Sequence, residues 1–158
     1  VWPQVSSVEQ VQLNNLNYSD LACRLMLPFV GDTIAEDDFA EIVDAAYSEF
    51  SNDQVVQLTK LDDGVWLLEL FHGPTLAFKD IALQLLGRLL DYILTRRGER
   101  ITLVGATSGD TGSAAIEACK GRESLDIFIL HPAGRVSDVQ RRQMTTVSSE
   151  NVHNIAIT

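Results

Sequence analysis

Cysteine is nearly absent from this sequence: among 158 residues only Cys23 and Cys119 carry a thiol, far apart and in no C-x-x-C arrangement. That argues against a disulfide framework or a cysteine-based zinc site, and a reducing cytoplasm fits best. Long apolar runs are missing as well. No stretch approaches the roughly 18 residues of a membrane span, and Val1-Trp2-Pro3 lacks the pattern of a signal peptide. Basic residues are few, 12 against 22 acidic ones, for a net charge of −10. Such a chain is a poor partner for nucleic acid or an anionic membrane, because phosphate backbones need basic patches. A small anionic substrate is not excluded, since a site can be locally positive on an acidic protein. No internal repeat, low-complexity tract or Pro/Gly/Ser-rich linker divides the chain. There is no initiating methionine, and Ile155-Ala156-Ile157-Thr158 reads as the end of a strand. Both ends are expected to be cuts through a longer protein.

What is present is enough for a packed core. The hydrophobic fraction of 46% and charged fraction of 22% are those of a globular domain. Residues 1–50 read as a helical region. Ser19 is a candidate N-cap for a helix to about Leu27, with Pro28 near its end. A second helix is expected from about Asp37 to Phe50, where Phe39, Ile42, Val43, Ala46, Tyr47 and Phe50 fall on one face of a 3.6-residue period. Residues 51–158 read as a hairpin followed by a partial α/β domain. The hairpin runs Val55 to Leu61 and Val65 to Leu70 about a turn at Asp62-Asp63-Gly64. Asp80 to Thr95 is expected to be a largely covered helix whose polar residues Gln84, Arg88, Asp91 and Thr95 form one stripe. Beyond it, apolar strands at Ile101–Gly105, Asp126–Leu130 and Val152–Ile157 alternate with helices at about Thr111–Cys119 and Ser137–Thr146. Strands separated by helices imply a parallel sheet, part of a doubly wound α/β fold.

Two segments could carry chemistry. In Phe71-His72-Gly73-Pro74-Thr75-Leu76-Ala77-Phe78-Lys79-Asp80, a Gly-Pro turn precedes a lysine in an apolar setting at the mouth of a covered helix. Burial there would favour the neutral amine that condenses with carbonyls. The competing reading is that Lys79 reaches solvent and Asp80 caps the helix. The second segment, Gly105-Ala106-Thr107-Ser108-Gly109-Asp110-Thr111-Gly112-Ser113, follows a strand and opens a helix. Its N–H groups can converge on an anion, its small residues allow close approach, and Thr107, Ser108 and Thr111 add hydroxyls. It is neither a P-loop nor a Rossmann glycine motif, and a well-capped polar turn is the other reading. His72 reads as structural or as lining the site, and His131 and His153 have no metal-ligand spacing. Arg135, Arg141 and Arg142 could meet a phosphate or lie solvated on a helix.

Taken together, Phe71 to Asp80 and Ala106 to Ala114 resemble the threonine synthase family. The likeness extends to Trp2-Pro3-Gln4-Val5, Leu27-Pro28-Phe29-Val30-Gly31, and the run from His131-Pro132 through Gln140, Gln143-Met144-Thr145 and Glu150-Asn151-Val152. It covers nearly the whole chain. The resemblance implies an α/β fold of the fold type II, tryptophan synthase β-like class, with pyridoxal 5'-phosphate (PLP) carried as a Schiff base on Lys79. It implies that Thr107, Ser108, Gly109 and Thr111 hold the substrate α-carboxylate and that Asp110 lies at the cofactor's ring oxygen. Many relatives have Asn at that position, and a carboxylate cannot donate a hydrogen bond as an amide can. The implied reaction is conversion of O-phospho-L-homoserine and water to L-threonine and phosphate. The family's glycine-rich loop for the cofactor phosphate is expected beyond Thr158. A related phospho-lyase, or a module without catalysis, are the alternatives.

Overall fold

The computed structural model describes Leu13 and residues 15–158. The Trp2-Pro3-Gln4-Val5 segment therefore lies outside the described residues. The chain runs α1 (Tyr18–Val30), a 3-10 turn (Gly31–Thr33), α2 (Glu36–Tyr47), β1 (Gln57–Asp62), β2 (Val65–Glu69) and α3 (Asp80–Arg97). It continues β3 (Ile101–Ala106), α4 (Asp110–Cys119), β4 (Leu125–Pro132), α5 (Asp138–Thr145) and β5 (Val152–Ile157). No described helix is long and apolar enough to cross a membrane.

The first helices depart from expectation at their ends. Asn17, not Ser19, caps α1, accepting from the Asp20 amide at 2.8 Å. Pro28 lies inside the last turn instead of stopping the helix. Its missing N–H frees the Arg24 carbonyl, and both residues are exposed, so water can serve that group. In α2 the expected face is inward: Phe39, Val43, Ala46 and Tyr47 are buried, with Phe50 just beyond. They join Ile34, Val55 and Leu85 in a core between α1, α2 and α3. Tyr47 meets Tyr18 and Phe50 edge-on, and its hydroxyl donates to the Ile81 carbonyl at 3.3 Å. Burial, together with Tyr18, pushes its pKa up to about 12.

Strands β1 and β2 pair antiparallel, with Asp62 opposite Val65 across Asp63-Gly64. Gly64 has φ +77°, the left-handed conformation that such a tight turn asks for. The ribbon leaves Leu58, Leu61, Val65, Trp66, Leu67 and Leu68 exposed.

In α3 the polar stripe proves to be an internal seam. Gln84 is buried, Arg88 donates to it and to Glu49, and Asp91 accepts from Ser124 and pairs with Arg122. Only Thr95 of the stripe is exposed. Strands β3, β4 and β5 form a parallel sheet in that order. One face packs its core: Leu125, Ile127 and Ile129 of β4 meet Leu94 of α3, Ile116 and Cys119 of α4, and Met144 of α5. On the opposite face Phe128 stacks on His153 at 4.3 Å and Val104 is exposed.

Asn151 ties this layer together just before β5. Its amide donates to the carbonyls of Cys119, Arg122 and Leu125 at 2.8, 3.2 and 2.8 Å, and its oxygen accepts from the Gly121 amide at 3.0 Å. Asn151→Ala would leave buried carbonyls without donors, which costs about 1–3 kcal/mol per group. The expected loss is about 3 kcal/mol in a urea titration, with an unchanged dependence on urea concentration. At the same amino edge of the sheet Arg100 grips Asp126 with two hydrogen bonds of 2.7 and 2.6 Å. Those bonds hold the Asp126 carboxyl below its usual range. A carboxyl with a lower pKa folded than unfolded adds stability above its unfolded value and loses it as pH falls through the folded one. The melting temperature of Asp126→Asn should therefore lie below that of the parent at neutral pH and converge with it in strong acid.

Candidate active site

The parallel strands deliver their carboxyl ends to one edge, and the polar segments gather there. Strand β3 ends at Ala106 and the Thr107 amide donates to the Leu130 carbonyl at 2.9 Å, so the loop 107–109 leaves the sheet beside β4. Helix α4 opens at Asp110 with its axis starting at this edge. The amides of Asp110 and Thr111 take no acceptor among the described residues, and the helix dipole makes this end partially positive. Thr107 Oγ1 accepts from the Gly109 amide at 3.3 Å, which keeps the loop turned back on itself.

The lysine segment approaches from the other side. Ser51 holds its start, donating through its amide and hydroxyl to the His72 carbonyl at 2.9 and 3.2 Å. The Leu76 amide then closes a turn on the Gly73 carbonyl at 3.0 Å. Asp80 reaches back into this turn, its two oxygens accepting from the Thr75 amide at 2.8 Å and hydroxyl at 2.7 Å. A Cβ on Gly73 would come within 2.5 Å of the Asp80 side chain, so only glycine fits there. Leu76 pays no visit to the core: it has φ +63° and is 67% exposed.

An open cleft of about 490 Å³ lies between the two segments, lined by Phe78, Lys79, Thr107, Ser108, Gly109, Asp110, Thr111, Arg135 and Gln140. That volume is in the range of small-molecule sites. All six residues expected from the sequence thus face one space. Both readings of Lys79 need correction. It is only half-buried, with its ammonium 4.3 Å above the Phe78 ring. The fully buried ionisable group is its neighbour Asp80, whose pKa burial pushes up against the pull of the Thr75 hydrogen bonds. Nor does Asp80 cap α3, because both of its oxygens are spent on Thr75.

Two further residues line the cleft. Arg135, one of the three arginines considered for a phosphate, follows the turn after β4, whereas Arg141 and Arg142 do not line the cleft. Its position one turn past a parallel strand was the available signal. Gln140 donates through Nε2 to Asp110 Oδ1 at 2.8 Å, while Ser137, the N-cap of α5, accepts from its amide at 3.3 Å. The Ser-x-x-Gln spacing of a capping box made that cap legible, though not the reach to Asp110. His72 pairs instead with Glu69 at 2.7 Å, and His131 is buried in β4. Among the described residues no cluster could hold a metal ion.

These features define an α/β protein of the fold type II, tryptophan synthase β-like class, with its cleft at the carboxyl edge of the parallel sheet. A family model described as threonine synthase N terminus matches residues 1–47. Threonine synthase of Pseudomonas aeruginosa is 57% identical over 155 residues, a match covering 98% of this chain and 33% of that protein. The crystal structure of PLP-bound threonine synthase from Brucella melitensis superposes with a TM-score of 0.94 at 52% identity, over 98% of this chain and 33% of that one. The yeast enzyme's structure gives a TM-score of 0.92 at 41% identity, over 100% and 34%. The chain is thus similar to threonine synthases over nearly all of its length, and it spans about a third of the length of the relatives it matches.

The 107–109 loop depends on close packing behind it. A Cβ on Gly112 would lie 2.6 Å from Thr107 Cγ2 and 2.7 Å from Met144 Sδ. Gly112→Ala should therefore displace Thr107 and cost about 1–3 kcal/mol of overpacking. A lowered melting temperature with a shifted Thr107 methyl resonance would report both effects.

Proposed function

We propose that this chain is the lysine-bearing part of a threonine synthase that converts O-phospho-L-homoserine and water to L-threonine and phosphate. One observation carries the reading: Lys79 and the open N-terminus of α4 line the same cleft. The donor set fits a phosphorylated pyridine aldehyde and an amino acid. A primary amine is present for the aldehyde, hydroxyls and free amides for a carboxylate, and a carboxylate with one uncommitted oxygen for a ring hydroxyl.

In this proposal Lys79 Nζ is the anchor for PLP, which supplies the electron sink for bond breaking at the substrate Cα. Once released by the substrate amine, Lys79 is the group placed to take and return protons at Cα and Cβ. Ser108, Thr111, Thr107 and the amides of the 109–111 turn hold the α-carboxylate and so fix which bond at Cα is aligned for cleavage. Asp110, with Oδ1 committed to Gln140, offers Oδ2 to the ring hydroxyl. Arg135 makes no ion pair among the described residues and is the guanidinium available to the substrate phosphate. Together with Lys79 and the α4 dipole it supports a locally positive cleft on a chain of net charge −10. By the reaction's chemistry the enzyme is a carbon–oxygen lyase acting on a phosphate ester.

Borohydride reduction of the PLP-loaded full-length protein, followed by peptide mapping, should place the pyridoxyl group on Lys79. A label on Lys60 or Lys120 would overturn the assignment. Lys79→Ala should abolish turnover at an unchanged melting temperature. Residues 1–158 alone should bind PLP weakly and show no turnover, because the cleft is open and half a site forfeits preorganisation. Tight stoichiometric binding with turnover by the isolated chain would contradict this.

A further inference from the structure

Helix α5 touches both halves of the cleft with a pair of glutamines. Gln140 Nε2 donates to Asp110 Oδ1 at 2.8 Å, and Gln143 Nε2, one turn further along, donates to the Thr75 carbonyl at 3.1 Å. The Thr75 amide and hydroxyl in turn donate to Asp80, at 2.8 and 2.7 Å, and Asp80 directly follows Lys79. A continuous path of hydrogen bonds therefore leads from α5 through Thr75 and Asp80 to the first turn of α3, where Lys79 is the N-cap residue. The helix itself is pinned from behind by Met144, which is fully buried in the core beneath the sheet.

The lysine loop has little else to define it on this side. Leu76, next to Thr75, holds a left-handed φ of +63° while its side chain stands in solvent, so packing does not enforce that conformation. Hydrogen bonds at Thr75 and Gly73 do.

We propose that Gln143 is a positioning residue for Lys79, acting through Thr75 and Asp80, and that α5 sets the spacing between the lysine loop and the loop that faces the carboxylate. This rests on the reading of Lys79 as the cofactor lysine. The two glutamines have separable effects. Gln143 governs the amine, and Gln140 governs Asp110 and its loop.

The test uses the full-length protein with Gln143→Met, which keeps length and volume and removes the donor, alongside Gln140→Met. Three quantities are measured: the rate at which Lys79 is labelled by PLP and borohydride, amide exchange at Thr75 and Leu76, and the separate values of kcat and KM. With Gln143→Met the labelling rate and kcat should fall about fivefold, the worth of one neutral hydrogen bond. Exchange at Thr75 should quicken while that of the β4 amides stays as in the parent, and KM should stay within about twofold. Gln140→Met should raise KM and slow labelling of Lys79 less than Gln143→Met does. If Gln143→Met does not fold, Gln143→Glu, of the same shape and without the donor, is read in the same way. Parent-like labelling, exchange and kcat in a folded Gln143 variant would overturn the proposal, as would equal loss of labelling in the Gln140 variant. A parent protein that takes no label on Lys79 would overturn the proposed function itself, and the positioning role with it.

Discussion

A carboxyl group with no exposed surface must be met by donors or it will not stay folded inside, and Asp80 is met chiefly by the amide and hydroxyl of Thr75. Much of the lysine segment follows from that one demand. The chain must double back so that an amide and a hydroxyl five positions earlier point at the same side chain. Gly73 must lack a Cβ to let the carboxyl in, and Leu76 must take a left-handed turn to close the loop. Lys79 is then delivered as the N-cap residue of α3, lining the cleft with its ammonium over the Phe78 ring. What sets the lysine apart is not its own environment but that of the residue beside it.

The cleft also shows how an acidic chain can gather positive groups in one place. Most carboxylates lie elsewhere or are engaged, as Asp38 is with Arg96 and Tyr92, and Asp126 with Arg100. The one carboxylate that lines the cleft, Asp110, is partly answered by Gln140. Against it stand a lysine, an arginine with no ion pair among the described residues and the start of a ten-residue helix. Net charge describes the surface as a whole, whereas recognition depends on these few groups.

Much of this was legible in the sequence where a single physical rule acted alone. The apolar spacing from Phe39 to Phe50 found the buried face of α2, and Asp-Gly between apolar runs found the hairpin. The alternation of strand and helix found the parallel sheet. Reading failed where a tertiary contact decided between two acceptable local answers. Asn17 and Ser19 are both good caps, and only the backbone's path chose Asn17. The stripe of Gln84, Arg88 and Asp91 looks like a solvated face until its partners Glu49, Arg122 and Ser124 arrive from distant segments. Desolvation was assigned to Lys79 and belongs to Asp80, because sequence cannot show which of two adjacent side chains turns inward. Among the three candidate arginines only the fold picks out Arg135, and it alone reveals Gln140's reach to Asp110, because both depend on where β4 ends and α5 begins, not on what surrounds them along the chain.

The left-handed leucine at position 76 has an evolutionary consequence. A non-glycine residue in that conformation gives up about 1–2 kcal/mol relative to one free to adopt it. Glycine there would relax the folded chain while enlarging the freedom of the unfolded one, and it would loosen the loop that presents the amine. Selection for heat tolerance and selection for turnover would thus pull on a single exposed side chain outside the cleft lining. Sequences from hot and cold habitats could diverge at this position before they diverge anywhere in the cleft.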